Sequence, residues 1–130
     1  MKFSCTQENL KQGLLTVSRV ASKNTNLPIL QNVLLQAGDG KVVLAATNLE
    51  IGVQVTIRGK VDQPGSFTLP AQLLTNYVSL LSSERVDCAL VGKEVQFSAN
   101  GQATVMKGEE ATDFPTLPII EQTNRYQLAK

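Results

Sequence analysis

The chain has 130 residues, 42% of them hydrophobic and 18% charged, with 12 Lys and Arg against 11 Asp and Glu for a net charge of +1. That length fits one domain with a real core, and the near-neutral balance is not that of a strongly basic nucleic-acid binder. Histidine is absent, which removes the commonest general base and transition-metal ligand, and two cysteines alone cannot complete a four-ligand zinc site.

Met1-Lys2-Phe3-Ser4-Cys5 carries no apolar signal core, so a cytoplasmic location is expected. No apolar run approaches the roughly 20 residues that cross a bilayer, and no membrane partner is expected. Lys2 to Cys5 reads as a short strand. A helix follows over about Gln7 to Val20, with Leu10, Leu14, Val17 and Ala21 forming its buried stripe. The face opposite holds Glu8, Gln12, Thr16, Arg19 and, where the helix or its exit continues, Lys23. Thr6 is the candidate N-cap.

Ser22 to Asn26 is a polar loop, and Leu27-Pro28-Ile29-Leu30 returns the chain to the body. Val33 to Ala37 and Lys41 to Ala46 read as strands joined by Gly38-Asp39-Gly40, residues that tolerate positive φ. Thr47 to Glu50 is the next turn. Val53, Val55 and Ile57 alternate with Gln54, Thr56 and Arg58, the pattern of a half-buried antiparallel strand. Val61-Asp62-Gln63-Pro64-Gly65 reads as a connector.

Then the order repeats. Ser66 to Leu69 is a strand, and Pro70 leads into a helix over about Ala71 to Leu81. Its core side is expected to hold Leu73, Leu74, Tyr77, Val78, Leu80 and Leu81, leaving Gln72, Thr75, Ser79 and Ser82 outside. Val86 to Val91, Glu94 to Ser98 and Ala103 to Lys107 are strands with turns at Gly92-Lys93 and Asn100-Gly101. Gly40 to Asn48 matches Gly92 to Asn100 at the Gly, the Lys, the central Val and the final Asn. Two matching β-α-β-β-β halves, α+β in class, would bury one face each against the other. Cys5 and Cys88, both in strands, read as reduced thiols that could pair only if those strands adjoin. After Gly108 the pattern breaks, and residues 119–130 read as a linker toward a further domain.

Chemistry is sparse. No nucleophile has a histidine to activate it, and no phosphate loop is present. Glu109, Glu110 and Asp113 form a small acidic cluster that could hold a hard cation, the basis of an alternative reading as a metal-dependent hydrolase. A solvated turn is the simpler account of it. The two outward helix faces together present Gln12, Thr16, Arg19, Lys23, Gln72, Thr75 and Ser79. Such a face suits loose, sequence-independent phosphate contact, and it also suits plain solvation.

Leu27-Pro28-Ile29-Leu30, Thr47-Asn48-Leu49-Glu50 and Asp113-Phe114-Pro115 appear in this order, with Met1-Lys2-Phe3 at the start and Leu69-Pro70-Ala71 leading into the second helix. Over residues 1–118 this resembles the N-terminal domain of the bacterial sliding clamps, the beta subunits of DNA polymerase III. The resemblance implies a DNA-clamp fold with pseudo-two-fold symmetry and two helices packed on one face of antiparallel sheets. It implies a non-catalytic processivity module, without cofactor or metal. In that family three such domains per chain close head to tail into a homodimeric ring around duplex DNA, which tethers the replicative polymerase. Polymerase subunits and the clamp loader would be engaged through the full-length protein. DNA-facing residues would be Gln12, Thr16, Arg19, Lys23, Asn24, Gln72, Thr75 and Ser79, with Asn24 standing where a basic residue is common and Lys23 beside it. The edge Ala103, Thr104, Val105, Met106 and Lys107 would meet the partner chain. A third reading is a clamp-fold protein-interaction module that does not bind DNA.

Overall fold

The computed structural model describes residues 1–21, 28–48, 51–82 and 84–115. Strand β1 (Lys2–Thr6) runs into helix α1 (Gln7–Ser18), and a 3-10 turn at Pro28–Gln31 precedes a meander of β2 (Asn32–Gly38), β3 (Lys41–Thr47) and β4 (Gly52–Arg58). A short β5 (Lys60–Gln63) leads to β6 (Gly65–Pro70), helix α2 (Ala71–Leu80) and a second meander of β7 (Arg85–Val91), β8 (Glu94–Ala99) and β9 (Gln102–Lys107).

The halves exchange their leading strands. One sheet runs β5-β1-β7-β8-β9 and the other β4-β3-β2-β6, every pairing antiparallel. The first half's β1 thus joins the second meander, and β6 joins the first. Phe3, Leu14, Leu35, Leu44, Phe67, Leu74 and Phe97 belong to one continuous core drawn from both halves and both helices. Neither half can bury its apolar face alone, so the duplication is one folding unit.

Val61 to Gly65, expected as a connector, contributes a strand instead. β5 lies against β1 with Phe3 opposite Val61 and Ser4 opposite Lys60. Exchange leaves β1 with a free flank, and pairing satisfies its backbone groups. The second half repeats this with a single bridge, Thr68 to Glu109, on the flank of β6. The hairpin turns use consecutive positive φ values, at Asp39 and Gly40 (53° and 72°) and at Asn100 and Gly101 (54° and 75°). That pair of conformations is the two-residue turn whose twist matches antiparallel strands.

α1 ends at Ser18, two residues short of the expected end. Gly13 lets it lie close to its sheet, since a Cβ there would stand 2.6 Å from Leu44 Cδ1 and 3.3 Å from Ile57 Cγ2. The seventh residue of α2 is Tyr77 where α1 has Gly13, and its ring meets Phe97 at 5.7 Å between centroids.

The expected faces of α2 need correcting. Its buried residues are Ala71, Leu74, Thr75 and Val78. Leu73 is 53% exposed and Leu80 86% exposed, whereas Thr75 is only 8% exposed. Six apolar residues on a helix of this length span more than one face. Packing takes the stripe at spacings of three, one and three, and Leu73 and Leu80 fall on the far side.

Candidate nucleic-acid interface

The two helices run antiparallel, side by side. Gln7, the first residue of α1, donates from Nε2 to the Val78 carbonyl near the end of α2 at 2.8 Å. The start of α1 is held twice more. Thr6 Oγ1 accepts from the Asn9 N–H at 3.1 Å, and the Gln7 N–H donates to the Glu84 carbonyl at 2.9 Å. Thr6 is thereby the N-cap expected from the sequence. Anchored at that end, the helix presents its outward face in a fixed orientation.

On α1, Gln12, Thr16 and Arg19 are all exposed, as is Glu8. Their abilities differ. Thr16 Oγ1 donates to the Gln12 carbonyl at 3.0 Å, so its one hydrogen is committed within the helix. Arg19 caps the carboxyl end of α1, where a cation also meets the negative end of the helix dipole. On α2, Gln72 and Ser79 are exposed. Thr75 is not on this surface, being buried, and its hydroxyl has no hydrogen-bond partner among the described residues. Asn76, which the sequence reading passed over, is exposed between Leu73 and Leu80. Helical geometry puts it opposite the buried stripe, a signal available once that stripe is known. Lys23 and Asn24 lie outside the described residues.

Outward charge is therefore slight. Arg19 and Glu8 are the exposed ionic groups of α1, Lys11 is half-buried, and α2 contains none. A surface of this kind offers hydrogen-bond donors without strong electrostatic pull.

The second candidate surface is β9, whose only sheet partner among the described residues is β8. Val105 is 54% exposed, Ala103 and Lys107 are exposed, and Thr104 is half-buried. Met106 points into the core and offers a partner only its backbone. Both Cys5 and Cys88 are free and buried. Their strands do adjoin, with Phe3 opposite Cys88 and Cys5 opposite Val86, which makes the two cysteines diagonal neighbours. Diagonal Cα separations of about 7–8 Å exceed the usual disulfide span of up to about 6.8 Å. Burial, helped by the charge of Asp87, pushes the Cys5 thiol up to about 12. Burial raises Cys88 as well, with Cys5 adding to the effect and the N-terminal ammonium opposing it.

The acidic cluster does not assemble. Glu110 pairs with Lys93 at 3.8 Å, the Glu109 backbone is bound to Thr68, and Asp113 is exposed. Among the described residues no three Asp, Glu or Cys side chains gather as metal ligands. Nor is any described helix long and apolar enough to cross a membrane.

Comparison with known proteins agrees with this architecture. The family described as DNA polymerase III beta subunit, N-terminal domain, matches residues 1–118. The beta sliding clamp of Synechococcus elongatus is 35% identical over 133 residues, covering 99% of this chain and 35% of that protein. That of Synechocystis is 35% identical over 130 residues, covering 93% and 33%. Among solved structures, the DNA polymerase III subunit beta of Pseudomonas aeruginosa superposes with a TM-score of 0.85 at 28% identity, covering 91% of this chain and 32% of that one. The DNA polymerase sliding clamp of Caulobacter crescentus gives 0.86 at 26% identity, covering 91% and 33%. The chain spans about a third of the length of the curated relatives it matches.

Proposed function

The chain belongs to the DNA polymerase III beta subunit family, as its N-terminal domain, and from that premise we propose that it forms one arc of a ring that encircles duplex DNA and tethers the replicative polymerase. The observation that carries this is the antiparallel helix pair, locked by Gln7 and Val78, whose exposed face holds Gln12, Arg19, Gln72 and Ser79. Donors without base-reading geometry or strong charge suit a surface that slides along DNA. Topology rather than affinity would keep such a ring on its template. Lys23 and Asn24 extend that surface in this reading.

Edge strand β9 is the proposed contact with a partner chain in a head-to-tail homodimer, through its backbone and Val105. Residues 119–130 would lead to further domains, which supply the polymerase and clamp-loader contacts. The setting is cytoplasmic and the domain itself performs no catalysis.

Alone, the domain cannot close a ring. Its affinity for linear duplex at physiological salt should therefore be no better than the non-specific range of about 10⁻⁴ to 10⁻⁶ M. Fluorescence anisotropy with a labelled duplex tests this, and tight sequence-selective binding would overturn it. The exposed Leu73 and Leu80 favour a second reading, a helix face that docks on protein. DNA contact indifferent to Arg19→Glu would support that alternative.

A further inference from the structure

A cleft of about 720 Å³ opens where the start of α1 meets the β3–β4 ladder and the starts of β5 and β7. Among the described residues four cations line it, Lys41, Arg58, Lys60 and Arg85, with the Asp39 carboxylate, and Arg85 is already paired with Asp87 at 3.0 Å. A third of the chain's 12 Lys and Arg thus stand around one cleft, in a protein of net charge +1.

Two features set this charge apart from ordinary surface decoration. Strand register puts Lys41 directly opposite Arg58, so both side chains leave the same face of the sheet. Directly opposed like charges destabilise a strand pair, and neither residue forms an ion pair among the described residues. The pseudo-two-fold supplies the second. In the other half the Thr68 hydroxyl accepts from Asn32 Nδ2 at 3.0 Å and donates to the Glu109 carbonyl at 2.8 Å. Here the matching register positions hold Ser4, Arg85 and Lys60, since Arg85 faces Thr6 as Asn32 faces Pro70, and Lys60 faces Ser4 as Glu109 faces Thr68. The matching place in the other half is also an open cleft, of about 650 Å³, where Asn32, Pro70 and Glu109 stand with Lys107 as the one cation among the described lining residues, so the fold does not require a cluster of four cations here.

We propose that the cleft is an oxyanion site that takes a phosphate group, held by Lys41, Arg58 and Lys60 with Arg85 at its rim. Bound phosphate would relieve the Lys41–Arg58 repulsion and make charge-assisted hydrogen bonds. Among the described residues no aromatic side chain lines the cleft, so bases would find no stacking platform there and the phosphate alone is recognised. Gly40 and Gly59 also line it, leaving their amide signals close to any bound anion. Free oligophosphate and the phosphodiester backbone of a nucleic-acid strand share this chemistry. The site does not depend on ring formation.

The test is titration of the purified, isotope-labelled chain with inorganic pyrophosphate, followed by amide NMR. The Gly40 and Gly59 signals should shift saturably. Lys60→Gln, and separately Arg58→Gln, should weaken binding by roughly 10-fold. Lys93→Gln, an exposed cation outside the cleft, should leave it unchanged. No saturable shift at either glycine, or equal weakening by Lys93→Gln, overturns the proposal. A short single-stranded oligonucleotide that moves the same signals and competes with pyrophosphate identifies a strand as the source of phosphate. Pyrophosphate binding without that competition identifies free oligophosphate.

Discussion

Gly108 lies so close to Thr68 that a Cβ at position 108 would stand 1.9 Å from the Thr68 carbonyl oxygen. The same Cβ would meet the Phe67 ring at 2.8 Å. This contact lets the chain leave β9 and bridge to the flank of β6. Gly108→Ala should therefore destabilise the domain by about 3 kcal/mol or more, because backbone cannot yield as a flexible side chain can. Gly38 has open space around its would-be Cβ. Gly38→Ala should be neutral or stabilise by about 0.4–1 kcal/mol through the unfolded chain. Urea unfolding followed by circular dichroism compares the two, and equal effects would show that the close approach is unimportant.

Thr75 keeps a buried hydroxyl without a partner among the described residues. Valine has nearly the same shape and nothing to desolvate. Thr75→Val should raise stability by about 1 kcal/mol, within the cost range of an unsatisfied buried hydroxyl. A lower melting temperature for the variant would mean that the hydroxyl is satisfied in solution, for instance by water.

Arg19 and Thr16 share one helix face but not one chemistry. Arg19 is the exposed cation there, while the hydrogen of Thr16 is already spent on Gln12. Arg19→Glu should weaken duplex binding severalfold and flatten its salt dependence by about one unit of slope. Thr16→Ala should change neither. Anisotropy at two salt concentrations reads both, and matching losses would contradict the distinction.

Cys5 and Cys88 predict a loss of stability in alkali. Both thiols are held neutral by burial above their ordinary value of 9.0, Cys5 up to about 12. The folded state thus keeps protons that the unfolded chain releases above that value. Their stabilising effect is complete below pH 9 and declines as pH rises toward 12. At pH 10 the two together should cost about 3 kcal/mol. Unfolding midpoints of the native chain and of Cys5→Ala/Cys88→Ala, measured at pH 8 and pH 10, isolate this term. A parallel decline in both proteins would remove the thiols as its cause.

Much of the fold was legible in the chain. Period-two alternation marked Val53 to Ile57, Asp39-Gly40 and Asn100-Gly101 marked turns, and Thr6 marked the start of α1. Those signals are local, since each rests on residues within one turn or one strand of each other. Of the candidate DNA surface, Lys23 was readable from the helix face and Asn24 only through resemblance, and both lie outside the described residues. Its Thr75 part was misread, because six apolar residues on α2 outnumber the face that packing can use.

By itself the sequence determined the order and type of the elements other than β5, the duplication and the absence of histidine-based chemistry, all properties of composition and short-range pattern. The tertiary structure alone decided that β1 and β6 change places, that β5 guards the flank of β1, and that Lys41, Arg58, Lys60 and Arg85 line one cleft. Alternation tells a strand which face to bury but not which strand to lie beside. That choice is made by the shared core, which closes only when each half completes the sheet of the other.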